Sequence, residues 1–437
     1  MEEIYETLPD TIREVDVLIL GDSRELIVPC GSTLGGGSSI KLMMYSRTQQ
    51  SDYNSWNVPG WSAEDMTPYL RKLETYHGPG PRTFHGFNGP INVFGGTYRA
   101  NRSGSHFVQA AGNIGYHEIE NLTSLDANNG VQRALKYTGT DGTRQDAASR
   151  YSILSSRVEI SEPACRCKLA SKRVIFDNKR ASGLEYRPNP KLVVVPSGAL
   201  GIPSILERSG LGNPEDMKKA GVDVVADLPG ASENYQVHHL LDETIDAIVG
   251  GRLDAGEPIQ ESAAILGWNA MDTTCKIRPT DAEVAALGPD FQALFPGDPY
   301  LAPALQYFTV GLDRDDKAKF TTGFFSDIQG VDIKKHVWAY KKQGEIFRRM
   351  ETYRGELPIL HPPFSPESPA TLIQLNDEPA PNVMDIVYTL EDDQVIEDYA
   401  RAHVETTWHS LGTYKMGPRE EISVIDAKLN AYGVEGL

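Results

Sequence analysis

The sequence is poor in cysteine, in positive charge and in long apolar runs. Its four cysteines, Cys30, Cys165, Cys167 and Cys275, are too few for a disulfide scaffold and lack the paired CxxC spacing of a zinc site. They read as isolated thiols, and only Cys165 and Cys167 are close enough in sequence for a redox pair. Lysine and arginine number 42 against 60 aspartates and glutamates, a net charge of -18. That deficit excludes a general nucleic-acid binder, which needs a basic surface to displace counterions from phosphate. No apolar run reaches the roughly 18 residues of a membrane span, so no membrane partner is expected. The acidic start Met1-Glu2-Glu3-Ile4 lacks the basic and apolar regions of a secretory signal, and Val434-Glu435-Gly436-Leu437 is not a peroxisomal tail of the Ser-Lys-Leu type.

What is present is ordinary for a soluble globular chain: 437 residues, 40% hydrophobic and 23% charged, enough for two or three structural units. Short β-like runs alternate with amphipathic helices, which points to an α/β architecture. Ser62 to Tyr76 reads as a helix capped by Ser62 with Asp65 three residues on, and Met66, Tyr69, Leu70 and Leu73 form an apolar face expected to meet the core. Asn213-Pro214 opens another helix that Gly221 ends, with a strand expected at Val222 to Val225. Leu192 to Val195 reads as a strand leading into the turn Pro196-Ser197-Gly198-Ala199, at the strand end where α/β proteins place ligands. From about Leu240 to Glu378 prolines and scattered aromatics replace clean βα units, as in a covering domain. Asp385 to Tyr388 then resumes a strand, and Glu391 to His403 a helix.

Two glycine-containing segments near the N-terminus do not fit a single loop. Val15 to Gly21 looks like the first strand of a dinucleotide-binding fold, yet Asp22-Ser23-Arg24-Glu25 follows Gly21 in place of a phosphate loop. The glycine cluster comes later, at Gly35-Gly36-Gly37-Ser38-Ser39. Successive small residues let backbone N–H groups approach a ligand, but they serve a tight turn equally well.

A second small-residue segment, Ser197-Gly198-Ala199-Leu200-Gly201 on to Gly212, resembles the second signature of the glucose-methanol-choline (GMC) family of flavin oxidoreductases, and Cys30 to Ser39 resembles the first. Met43-Met44-Tyr45, His85-Gly86-Phe87, Trp338 to Lys342 and His403 to His409 are similar, in order, to the fungal alcohol oxidases within that family. The resemblance implies an α/β fold with a discontinuous, incomplete Rossmann-like FAD-binding domain at 14–98, 138–240 and 385–437. A second, α+β substrate domain would comprise 99–137 and 241–384. It further implies FAD as cofactor and oxidation of a small primary alcohol to an aldehyde, with molecular oxygen as acceptor giving hydrogen peroxide.

By the same resemblance, His409 is the catalytic residue. Imidazole, with a reference pKa near 6.5, can take the hydroxyl proton as hydride leaves. The implied cofactor contacts are Gly21, Leu34, Gly35, Gly36, Gly37, Ser38, Ser39, Ser197, Gly198, Ala199, Asn234 and Gln236, with no metal. The adjacent pair His238-His239 is a poor metal site, since neighbours on a strand face opposite ways.

The departures from the family pattern are equally specific. The family's Gly-x-Gly-x-x-Gly loop, the following helix and an acidic residue for the ribose are not found between Gly21 and Arg24, and Lys41 stands where asparagine is usual. The segment carrying the family's second catalytic residue is not found before Leu437. Two readings therefore stay open: an FAD-dependent oxidase, or a catalytically inactive or truncated family remnant acting through protein interactions, a homo-oligomer included. A nicotinamide dehydrogenase has no feature in its favour. The location expected is peroxisomal or cytoplasmic.

Overall fold

The computed structural model describes residues 18–21, 24–27, 31, 33, 35–99, 102–152, 173–184, 187–188, 193, 195–236, 239–240, 269, 271–294, 308–309, 319–320, 323–356, 358–371, 373, 382–406 and 409–437. Leu34, His238, Cys30, Cys165, Cys167 and, from the Leu192 to Val195 run, Leu192 and Val194 lie outside them.

The chain makes small sheets joined by helices. Leu18–Gly21 pairs antiparallel with Arg24–Ile27, with Gly21 opposite Arg24, so the first strand reverses into a hairpin. Glu74–Tyr76 pairs parallel with Ile91–Val93, and Gly130–Arg133 pairs antiparallel with Thr273–Lys276. The largest sheet among the described residues is the antiparallel set Val174–Asp177, Arg180–Leu184 and Arg187–Pro188. The C-terminal residues extend it: Glu435 bridges Arg180 in parallel, and the Gly436 carbonyl accepts from the Val193 N–H at 2.9 Å. Beneath this sheet Val174, Leu206, Leu211, Leu228 and Val424 form a core, covered at its edge by Tyr432, Val434 and Leu437.

Helices Val331–Arg348 and Leu390–His403 pack on each other, meeting through Phe325, Ile333, Ala400 and Val404 in one cluster and Tyr340, Phe364, Ala370 and Ile396 in another. Thr389 caps the second helix in a capping box with Asp392. Among the described residues no helix is long and apolar enough to cross a membrane.

Three sequence expectations shift. The capped helix forms, but as Ala63–Leu73, and Tyr69 is 65% exposed, so its apolar face is not a core face. The helical pattern gives way at Glu74 because Glu74–Tyr76 gains a parallel ladder and a buried partner set that continued helix would forfeit. Asn213 caps helix Pro214–Lys219, yet the expected strand at Val222 to Val225 starts only at Ala226–Asp227. The Val222 N–H closes the helix end on the Met217 carbonyl and is lost to any ladder. Asp385 to Tyr388 is extended without a ladder, the Ile386 N–H going to the Glu345 carboxylate at 2.8 Å.

Glu74 organises the region around the paired Glu74–Tyr76 strand. It is 1% exposed and accepts from Tyr45 Oη at 2.6 Å, Arg47 Nη2 at 2.7 Å, His85 Nδ1 at 2.8 Å and the Gly86 N–H at 3.1 Å. Asn121 Nδ2 donates to His85 Nε2 at 3.0 Å, which leaves the ring proton on Nδ1 for Glu74, and the imidazole stacks on Tyr76 at 3.5 Å. Burial acts most strongly on this carboxyl and pushes its pKa up, but His85, Tyr45 and Arg47 together hold it below the ordinary value.

A carboxylate with a depressed pKa adds stability that is present above its unfolded value and lost as pH falls through the folded one. Glu74→Gln is therefore expected to lose about 3–5 kcal/mol in urea unfolding at pH 7, since Arg47 is left buried without its carboxylate. The gap to the parent chain should close only below the ordinary carboxylate range, as pH falls through the depressed folded value and the parent's own carboxyl protonates. Equal stability of the two chains at pH 7 would show that the network contributes nothing.

Candidate active site

Three chain segments far apart in sequence are bonded into one surface. The Gln236 and Leu411 backbones exchange hydrogen bonds at 2.8 and 2.9 Å. Asn234, held at a φ of 62°, donates from Nδ2 to the Gly412 carbonyl at 3.1 Å and accepts from Gln236 Nε2 at 3.2 Å. Tyr235 Oη and Ser410 Oγ lie 2.7 Å apart, and Thr413 Oγ1 donates to the Ala199 carbonyl at 2.7 Å. Gly412 has a φ of 96°, and a Cβ there would stand 2.1 Å from the Asn234 carbonyl oxygen, so only glycine lets the two strands close. His409 thus sits on a loop clamped to Asn234–Gln236 on one side and to the start of helix Gly198–Arg208 on the other.

The glycine cluster joins this surface through Lys41. Gly35 and Gly36 take φ of 99° and 55° and turn the chain into the short helix Gly37–Ile40. Ser38 Oγ donates back to the Gly35 carbonyl at 2.6 Å, and Ser39 Oγ to Asp146 Oδ2 at 2.8 Å. Arg144 Nη1 donates to the Lys41 carbonyl, so the 144–149 segment fixes the turn from behind. Lys41 Nζ rests 3.7 Å from the centre of the Tyr137 ring, a contact worth about 0.5–2 kcal/mol. Burial and then the Arg144 charge lower the Lys41 pKa.

Lys41 also acts on His409. The residue is exposed overall, but loss of solvation on its protein side and then the Lys41 charge hold the imidazole pKa below its ordinary value. A cation beside an imidazole disfavours the imidazolium, so His409 is held neutral at physiological pH, the state that can accept a proton.

The sites named from sequence divide accordingly. Gly35 to Ser39, Ser197 to Ala199, Asn234, Gln236 and His409 belong to segments that come together, while Gly21 ends a hairpin and Leu34 lies outside the described residues. Within the cluster, the Ser38 and Ser39 hydroxyls and the polar atoms of Asn234 and Gln236 are engaged in building the loops. Open backbone is found instead at the glycines: among the described residues a Cβ at Gly37 or Gly198 would meet nothing within 4 Å, and at Gly36 only the Gly31 carbonyl at 3.9 Å. That is a cradle for close backbone approach, and it fits one end of a dinucleotide; the hairpin at Gly21 offers no strand-to-helix loop for the other end. Tyr137, Arg144, Asp146, Gly412 and Thr413 escaped the sequence reading.

The model for GMC oxidoreductase matches residues 10–240, and a second one, for its C-terminal part, matches residues 309–437. The chain belongs to the GMC oxidoreductase family. This GMC chain is therefore an oxidoreductase enzyme. It is 31% identical to an alcohol oxidase of Pichia angusta and 30% identical to one of Candida boidinii, each over 95% of this chain and 79% of the relative. An FAD-dependent oxidoreductase from Chaetomium thermophilum shares the GMC chain's fold with a TM-score of 0.74 at 20% identity, over 95% of this chain and 82% of that one. The fold expected from sequence, a flavin-binding part with a second, substrate-facing part, is the one these neighbours have.

Removing the Lys41 charge should release the imidazole. In Lys41→Met the His409 pKa, followed by NMR of the imidazole protons, is expected to rise, with Arg144 still neutralised in part by Asp146. A pKa unchanged from the parent chain would mean that Lys41 and His409 do not share one field.

Proposed function

We propose that this chain is an FAD-dependent alcohol oxidase, converting a primary alcohol and molecular oxygen to an aldehyde and hydrogen peroxide. One observation carries the reading: His409, held neutral beside Lys41, stands on a loop hydrogen-bonded to both Asn234–Gln236 and Ala199, at the open glycine turns. The resemblance to the alcohol oxidases of Pichia angusta and Candida boidinii supports the same substrate class.

In this reading Gly36, Gly37 and Gly198 hold the cofactor by backbone, and the Asn234–Gly412 clamp sets where His409 stands relative to them. FAD, when bound, supplies the acceptor that takes hydride from the carbinol carbon and passes the electron pair to oxygen. His409 accepts the hydroxyl proton, so that the carbinol carbon, bearing an alkoxide-like oxygen, gives up its hydride, and His409 later returns the proton to the peroxide. The cationic surroundings of His409 favour oxygen as an electron acceptor, because negative charge develops on it.

The division into a flavin part at 14–98, 138–240 and 385–437 and a substrate part at 99–137 and 241–384 belongs to the same proposal. Pairing of Gly130–Arg133 with Thr273–Lys276, and a cluster of Ala110, Val131 and Ile346, support the second grouping. The reading extends to a peroxisomal or cytoplasmic location. The hairpin at Gly21 favours one alternative, a chain that has lost flavin affinity.

Visible absorbance after reconstitution with FAD decides between the two. Flavin bands that survive gel filtration, bleach under nitrogen with ethanol or methanol, and return with air and one hydrogen peroxide per aldehyde are expected. His409→Ala should retain the bands and slow bleaching by about 10²–10⁴-fold, the usual contribution of a positioned acid or base. A chain that holds no flavin, or a His409→Ala variant bleached as fast as the parent, would remove the corresponding part of the proposal.

A further inference from the structure

Between the end of helix Ala63–Leu73 and the loop 85–89 lies a recess of about 500 Å³ that shares no residue with the candidate active site. Its size falls within the roughly 300–1,000 Å³ of small-molecule sites. Its walls are joined through backbone. The Tyr76 N–H donates to the Gly86 carbonyl at 2.8 Å, the Gly89 N–H to the Glu74 carbonyl at 2.9 Å, and Thr75 Oγ1 to the Gly89 carbonyl at 2.7 Å. A Cβ at Gly86 would stand 1.6 Å from the Arg71 carbonyl oxygen, so loop and helix end meet with no side chain between them. The recess is therefore shaped before anything enters it.

Its charge is of one sign. The lining carries Arg71 and Lys72 and, among the described residues, no carboxylate. Both side chains are exposed, and neither makes an ion pair or a hydrogen bond with a described residue. On a chain of net charge -18 this stands out, because Lys219, Lys341, Lys342 and Arg401, also carried by helices, each reach a carboxylate. A place in the last helical turn suits a cation, but it does not require two of them to line one recess kept clear of acids. Glu74, next after the helix, is spent on Tyr45, Arg47, His85 and the Gly86 N–H. His85, also in the lining, has Nδ1 on Glu74 and Nε2 on Asn121 and offers no free donor. The Arg82 guanidinium lies 4.1 Å from the centre of the Phe87 ring, itself part of the lining, and adds a third positive charge.

We infer that this recess is a binding site for a small phosphate monoester, its phosphate held by Arg71 and Lys72 and its organic body between Phe87 and Asn88. A monoester carries close to two negative charges above its second pKa near 6, which matches two unpaired cations where a carboxylate would answer only one. The guanidinium fork accepts two phosphate oxygens side by side, and the ammonium adds a point charge. The volume leaves room for more than a phosphate group, and the Asn88 amide, without a described partner, faces the remainder.

Calorimetric titration of glycerol 3-phosphate into the purified chain at low salt tests the site without flavin or turnover. Saturable one-to-one binding is expected, with no binding of glycerol and at least tenfold weaker binding of inorganic phosphate. The double variant Arg71→Met, Lys72→Met should weaken the ester at least tenfold. Asn88→Asp, which sets a carboxylate in the lining with almost no change of shape, should do the same. Lys218→Met, which removes an exposed charge from another helix, should leave the affinity unchanged. All these positions are exposed, and a cooperative urea transition shows that each variant is folded.

Ester affinity that survives both the double variant and Asn88→Asp, or that falls as far in Lys218→Met, overturns the inference. Inorganic phosphate binding as tightly as the ester removes the organic body from it. A chain that ignores the free ester yet sediments with phosphatidate-containing vesicles through Arg71 and Lys72 makes the phosphate a lipid headgroup and overturns the free ligand.

Discussion

A single buried carboxylate underlies the geometry of the candidate site. Glu74 gathers Tyr45, Arg47, His85 and the Gly86 N–H, and so ties two separate stretches of loop, 45–47 and 85–86, to its own strand. Without that acceptor, an arginine, a phenol and an imidazole would be enclosed in the same volume with nothing to share. Its influence reaches the surface through rings. Tyr45 is fixed by Glu74, Tyr137 lies edge-on to Tyr45, and the Lys41 ammonium rests on Tyr137. The position of one charge at the candidate site is thus set by a hydrogen-bonded cluster that never touches it.

The second constraint is backbone closure. His409 has no secondary-structure element of its own, and its loop is defined by what it is pinned to. Asn234 and Gln236 use their side chains on the loop itself, which makes them carpenters of the site more than contacts for a ligand. The glycines divide in the same way. Gly412 is there because a Cβ would run into the Asn234 carbonyl, and Gly35 because one would meet the Ser39 hydroxyl at 2.4 Å, whereas Gly36, Gly37 and Gly198 leave room.

Local rules carried well from sequence to structure where the information is local. The Ser62 and Asn213 caps and the helix ending at His403 form where spacing and capping chemistry indicate. Elements that depend on distant partners were less legible. Val222 to Val225 has strand composition, but its first N–H is taken by the preceding helix, and Ile386 finds a glutamate in place of a neighbouring strand. The site shows the same division: its residues are identifiable by motif, but their neighbours Tyr137, Arg144 and Asp146 carry no signal that separates them from other loop residues. Their roles arise from contacts across about a hundred positions, such as Arg144 on Ser38 and Ser39 on Asp146.

Distance along the chain has a further consequence for how such a site comes into being. The opening hairpin closes within ten residues, but the contact of Tyr235 with Ser410 spans 175 positions and that of Thr413 with Ala199 spans 214. Contacts of such separation form late, after the loop-closure entropy has been met by the packing between them. During synthesis, domains take shape as they leave the ribosome. Here residues 198 to 236 must wait for their partner segment, Tyr235 for a further 175 positions, with their half of the site unmade. The clamp at Gly412 is therefore also an order of events: only a chain already translated past Thr413 can hold His409 in place.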